Sequence, residues 1–101
     1  MPDLLDDHAL HSAMADRPHW EVRRGSLFRA VQAPSFLDGI RIVDQVAQAA
    51  EELDHHPDID IRWTTISFAL STHSEGGITN LDVSLAARID EIIDSTPQAA
   101  T

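Results

Sequence analysis

The stretch Ile59-Asp60-Ile61-Arg62-Trp63-Thr64-Thr65-Ile66-Ser67-Phe68-Ala69-Leu70 decides the fold. Its apolar side chains sit at odd positions in Ile59, Ile61 and Trp63, then at even positions in Ile66, Phe68 and Leu70. A regular strand cannot change parity, because successive side chains point to opposite faces. A tight turn or bulge within Arg62–Thr65 resolves the conflict, so the stretch predicts two antiparallel strands joined as a hairpin.

Upstream, Pro34-Ser35 opens a helix, with Ser35 as cap and Asp38 in the capping-box position. Phe36, Ile40, Val43, Ala47 and Ala50 form its apolar stripe, widened by Ile42, Val46 and Leu53. Pro57 forbids continuation and biases His56 toward extended backbone, which predicts a helix end at His55-His56. Before that helix, Trp20 and Val22 alternate with Glu21 and Arg23, Arg24-Gly25 supplies a turn, and Leu27 to Val31 reads as extended. This is a second hairpin. Residues 3–15, with Leu4, Leu5, Ala9, Leu10, Ala13 and Met14 among acids, predict a short amphipathic helix closed before Pro18.

Downstream of the deciding stretch, Ser71-Thr72-His73 closes the strand and Gly76-Gly77 breaks the chain. Thr79 then caps a last helix, with Asp82 completing its capping box and Leu81, Leu85, Ile89 and Ile92 as its stripe beside Ala86 and Ile93. The tail Pro97-Gln98-Ala99-Ala100-Thr101 is expected to fray. The order helix, hairpin, helix, hairpin, helix predicts an α+β fold. Its two hairpins join into a four-stranded antiparallel sheet, with three helices packed on one face as a two-layer sandwich.

A chain of 101 residues is read as a single domain spanning 1–101. Seven arginines against 17 acidic residues give a formal charge of −10, a field that disfavours nucleic acid and anionic membrane as partners. Cysteine is absent, which removes disulfides, thiol nucleophiles and zinc–thiolate sites. Met1-Pro2-Asp3-Leu4-Leu5-Asp6-Asp7 lacks the basic and apolar regions of a signal peptide, so a soluble cytoplasmic protein is expected. No P-loop, GxGxxG or GxSxG motif occurs, which takes nucleotide chemistry and serine hydrolysis off the table, and there is no HExxH or comparable zinc motif.

Six histidines remain as the chemical lead. His8 and His11, three apart on the first helix, are two polar residues on a solvated face, and His19 beside Trp20 carries no signal. His55 and His56 stand where a helix ends against a proline. Glu51 lies one helical turn before His55, and the helix's free carbonyls favour an imidazolium there. These histidines either cap the helix or do chemistry. His73 precedes a Gly-Gly loop, where functional groups often collect, and it reads either as a polar strand end or as a third imidazole of one site. Asp82 serves the capping box and can also fix a histidine tautomer, with His73 the expected partner. Imidazoles with carboxylates suit either a metal site or general acid–base catalysis.

Glu51-Glu52-Leu53-Asp54-His55-His56-Pro57 resembles the E-x-L-x-H-H-P signature of pterin-4a-carbinolamine dehydratases. Leu70-Ser71-Thr72-His73-Ser74-Glu75-Gly76-Gly77-Ile78-Thr79-Asn80-Leu81-Asp82 is similar to that family's L-x-T-H-x-x-G-G-L-T-x-x-D segment. Trp20 and Phe36 also match family positions, so the resemblance runs over roughly 20–93. Ile78 stands where the family has Leu, and Trp63 where it has Tyr.

The resemblance implies a four-stranded sheet with three helices and a homodimer or homotetramer. It also implies removal of water from 4a-hydroxytetrahydropterin to give quinonoid dihydropterin, in tetrahydropterin recycling. His55, His56 and His73 would then be catalytic, with Glu51, Asp82, Pro57, Thr72 and Trp20 binding substrate or supporting them. Glu51 would tune His55, and Asp82 would orient His73. The pterin is substrate, so no cofactor and no metal is expected. The family also contains relatives that have left catalysis and act as binding or assembly modules. The presence of all three histidines speaks for the enzyme, and turnover of a 4a-hydroxypterin would separate the two.

Overall fold

The structure, a computed structural model, describes residues 3–96. The expected fraying of 97–101 lies outside the described residues. The deciding stretch forms a hairpin of β3 (Asp58–Arg62) and β4 (Thr65–Leu70), with Arg62 opposite Thr65 and a two-residue turn at Trp63-Thr64. Trp63 adopts φ 55, the left-handed region, and points into solvent. The first hairpin joins β1 (Glu21–Arg23) to β2 (Ser26–Gln32) through Arg24 at φ 51 and Gly25 at φ 76. Two successive left-handed residues are the signature of a type I′ turn, whose twist matches that of the strands.

The sheet order is β1-β2-β4-β3, antiparallel throughout. On β4, Ile66, Phe68 and Leu70 are fully buried, while Thr65, Ser67 and Ala69 face the other way. Leu27 and Arg29 continue the inner face on β2. Two long helices pack on it, α2 (Phe36–Leu53) and α3 (Asn80–Asp94), while α1 (Asp7–Met14) lends Leu10 and Met14 to the core margin. This is the α+β sandwich that the strand parity implied. Among the described residues no helix is long and apolar enough to cross a membrane.

Local chemistry sets the helix ends, and three expectations are corrected. α1 starts at Asp7 rather than residue 3, because the Asp6 carboxylate caps it by accepting from the Ala9 N–H at 2.7 Å. Leu4 and Leu5 instead run extended beside Ile78 and Thr79, with the Leu5 N–H donating to the Ile78 carbonyl at 2.9 Å. α2 buries Gly39, Ile42, Val46, Ala49 and Ala50, so Ala50 of the expected stripe and Ile42 and Val46 of its widening lie in the core, whereas Phe36, Ile40, Val43 and Ala47 are not fully buried. Two apolar stripes compete on this helix. The close approach of Ile66 to Gly39 selects the second, since a Cβ at Gly39 would lie 3.0 Å from Ile66 Cδ1. Finally, α2 ends at Leu53, two residues earlier than Pro57 implied.

A polar cluster ties the N-terminal region to α3. Asp90 accepts from Arg17 Nη1 at 3.0 Å, from Trp20 Nε1 at 2.8 Å, and from the buried Arg29 guanidinium. The sequence reading did not anticipate this cluster.

Candidate active site

The cleft is built at the junction of the α2 C-terminus and the α3 N-terminus. α2 closes with Asp54 in the left-handed conformation at φ 50. The Asp54 N–H donates to the Glu51 carbonyl at 3.2 Å and the His55 N–H to the Ala50 carbonyl at 3.0 Å. These paired bonds are a Schellman motif, which satisfies carbonyls the helix would otherwise leave open. The motif turns the chain sharply, so that His55 and His56 leave on different sides.

His55 turns inward: its side chain is 10% exposed, and Nε2 lies 2.5 Å from Asp82 Oδ1. His56 turns outward, 59% exposed, with Nε2 2.5 Å from Glu51 Oε2. Both carboxylate pairings therefore differ from expectation. Glu51 backs His56 rather than His55, because the left-handed residue rotates His55 off the i,i+4 face of the helix. Asp82 backs His55 rather than His73, because the loop carries His73 into a 3-10 turn over His73–Glu75 and out to solvent. Among the described residues the His73 imidazole has no hydrogen-bond partner, and it does not end a strand.

Asp82 is fully buried and serves two structures at once. Its Oδ2 accepts the Thr79 N–H at 2.9 Å, completing the capping box of α3, and the Thr72 hydroxyl at 2.8 Å. Oδ1 is left for His55. A carboxylate accepts, so His55 Nε2 carries the proton in this pair and Nδ1 is the nitrogen free to exchange one. Thr72 is pinned by its backbone, which bridges Gly77 through a 2.7 Å bond from its N–H to the Gly77 carbonyl. A Cβ at Gly77 would come to 3.0 Å from Leu4 Cδ2, a tight contact that the exposed Leu4 side chain would have to yield to.

Asp54, His55, His56, Ser71, Thr72, His73, Ser74 and Leu81 line an open cleft of about 330 Å³, within the usual range for a small-molecule site. The three histidines singled out in the sequence thus meet. Glu51 reaches the cleft through His56, and Pro57 is half-buried just outside it at the start of β3. Trp20 does not line the cleft; it is buried, with its indole N–H on Asp90. Ser71, Ser74 and Asp54 were not foreseen as lining residues, although they flank Thr72, His73 and His55 directly in the chain. Among the described residues no three His, Cys, Asp or Glu side chains gather at metal-binding spacing. The cleft offers two carboxylate-backed imidazoles, a third imidazole without a partner, and hydroxyls, a set equipped to donate and accept protons around a polar ligand.

Fold and cleft together define a two-layer α+β protein with a histidine-rich proton-transfer site. Residues 3–92 match the family described as pterin 4 alpha carbinolamine dehydratase, and the chain belongs to that family. It is 53% identical over 91 residues to a provisionally named pterin-4-alpha-carbinolamine dehydratase of Mycobacterium sp. (strain KMS), covering 90% of this chain and 97% of the relative. A protein of the same name in Mycobacteroides abscessus is 55% identical over 87 residues, covering 86% of this chain and 93% of the relative. Among solved structures, the transcriptional coactivator/pterin dehydratase from Brucella melitensis superposes with a TM-score of 0.86 at 28% identity, covering 89% of this chain and 98% of that one. A pterin dehydratase-like protein identified as a RuBisCO assembly factor in the alpha-carboxysome gives a TM-score of 0.61 at 23% identity, over 76% and 89% of the two chains, a likeness of fold alone.

Proposed function

We propose that this protein is a cytoplasmic 4a-hydroxytetrahydropterin dehydratase that serves tetrahydropterin recycling by histidine acid–base catalysis. The observation that carries the reading is the convergence of His55, His56 and His73 on one cleft, with His55 backed by the buried Asp82. The reaction breaks the C4a–O bond and the N5–H bond, forms the C4a=N5 double bond and releases water. It needs one group to protonate the departing hydroxyl and another to take the N5 proton.

In the proposed division of labour, His55 is the donor. With Nε2 committed to the Asp82 carboxylate, Nδ1 is the nitrogen that protonates the leaving oxygen. His73, with no carboxylate partner, accepts the N5 proton as a neutral imidazole. His56, held by Glu51, orients the pterin. The donors and acceptors the reaction needs are all side chains, so the proposal includes no metal and no resident cofactor. A small chain with two edge strands also gains from self-association, and a homodimer or homotetramer is part of the proposal.

The deciding measurement is turnover of freshly generated 4a-hydroxytetrahydropterin. His55→Ala and His73→Ala should each lower kcat by roughly 10²–10⁴-fold, while His56→Ala should chiefly raise KM. A wild-type rate no faster than the spontaneous reaction would refute the enzyme and favour a non-catalytic binding or assembly module. A His56→Ala variant more damaged in kcat than His55→Ala would overturn the division of labour.

A further inference from the structure

The hydroxyl of Thr79 does more than cap α3. It accepts the Leu81 N–H at 3.2 Å, and it lies 2.7 Å from the Thr72 hydroxyl. Thr72 has a single hydroxyl proton, which goes to Asp82 Oδ2, since an ionised carboxylate can only accept. The bond between the two threonines therefore has one possible direction: Thr79 donates and Thr72 accepts. Thr79 is fully buried, and Thr72 is the one acceptor within reach of its hydroxyl among the described residues.

The polarity of the whole chain follows. The Leu81 N–H donates to Thr79, Thr79 to Thr72, and Thr72 to Asp82, while His55 Nε2–H donates to the other carboxylate oxygen. Every link points its proton toward Asp82. For Asp82 to take up a proton at Oδ2, Thr72 would have to turn and donate to Thr79. The proton of the fully buried Thr79 hydroxyl would then have no acceptor among the described residues. Donors aligned in this way also polarise one another in a buried setting.

We propose that Thr79 is a positioning residue for His55. By donating to Thr72 it fixes the Thr72 hydroxyl on Asp82 Oδ2, and so holds the carboxylate with Oδ1 aimed at His55, the bond on which proton donation depends. The helix cap and the reactive imidazole are two ends of one hydrogen-bond chain. The kinetic consequence rests on the dehydratase reading, whereas the coupling between Thr79 and His55 does not.

The test is proton NMR of the ¹⁵N-labelled protein, paired with kinetics on Thr79→Val and Thr79→Ser. In the wild type the His55 Nε2–H proton should resonate far downfield and exchange slowly, and the Thr79 hydroxyl proton should be visible and close to that of Thr72. Thr79→Val keeps the shape but removes the hydroxyl, which is both the donor to Thr72 and the acceptor of the Leu81 N–H. The His55 proton should move upfield and exchange faster, and kcat should fall about tenfold, a fraction of the roughly 10²–10⁴ a general acid supplies. KM should hold, because Thr79 does not line the cleft. Thr79→Ser should restore both.

A Thr79→Val protein that melts earlier yet keeps the wild-type His55 resonance would overturn the proposal and leave Thr79 a helix cap. An exchange-labile Thr79 hydroxyl in the wild type would overturn it without any variant. If the wild type shows no turnover, the dehydratase reading fails on its own, and the NMR arm still decides the coupling.

Discussion

Replacing Asp82 by Asn separates what this residue does for folding from what it does for His55. The carboxylate is fully buried and meets three donors: His55 Nε2 at 2.5 Å, the Thr72 hydroxyl at 2.8 Å and the Thr79 N–H at 2.9 Å. In Asp82→Asn the amide oxygen can occupy the Oδ2 position and keep the Thr72 and Thr79 bonds. The amide nitrogen then faces His55 Nε2. It can only donate, so Nε2 must accept and the ring proton moves to Nδ1.

One charge-assisted bond is exchanged for a neutral one, which costs about 1–2 kcal/mol. For a domain of this size that is a fall in Tm of roughly 4–16 °C. Catalysis suffers far more, because an imidazolium at His55 would set two donors against each other. The charged proton donor is lost, and kcat should drop by roughly 10²–10⁴-fold with little change in KM, since Asp82 does not line the cleft.

Asp82→Ala behaves differently. It takes the acceptor from all three donors, at about 1–3 kcal/mol for each left buried and unpaired, and removes the capping box. The sum approaches the whole stability of many small domains. Thermal melts by circular dichroism and dehydration kinetics on the two variants complete the test. An Asp82→Asn protein that folds like the wild type and turns over at a near-normal rate would refute the role assigned to the Asp82–His55 pair.

Three further outcomes are expected. Asp90→Ala should destabilise the fold by about 3–5 kcal/mol in urea titration, because it strands the buried Arg29 guanidinium together with the donors of Arg17 and Trp20. Gly39→Ala should lower stability by about 1 kcal/mol in the same assay despite alanine's better helix propensity, since its Cβ would lie 3.0 Å from the fully buried Ile66. Exhaustive chelation should leave dehydratase activity intact, and loss of activity restored by one added metal ion would overturn the metal-free mechanism.

The fold was legible where local chemistry and global packing agree. The parity change from Trp63 to Ile66 required a turn whatever surrounded it, and Thr79 with Asp82 marked a helix start that the structure places at Asn80. Legibility failed where two local answers were equally good. α2 carries two apolar stripes, and only the tertiary approach of Ile66 to Gly39 selects between them. Residues 3–6 are apolar enough for helix, yet Leu4 and Leu5 pair with the segment before α3, a long-range contact that no local pattern announces.

The candidate site shows the same division. His55, His56, His73, Glu51 and Asp82 were all visible as residues, but their pairing was not. Spacing of i,i+4 joins Glu51 to His55 only if helical geometry persists to His55. It stops at Asp54, whose left-handed backbone costs free energy that the two Schellman bonds offset. That single residue reverses the assignment. It sends His56 back to the exposed Glu51 and delivers His55 to Asp82, 27 positions along the chain. An aspartate already committed to a helix cap is well suited to this second task, because the cap fixes one oxygen and thereby aims the other. The protein thus orients its buried histidine with a group whose geometry α3 has already set, so disturbance of that helix end must be felt at the imidazole.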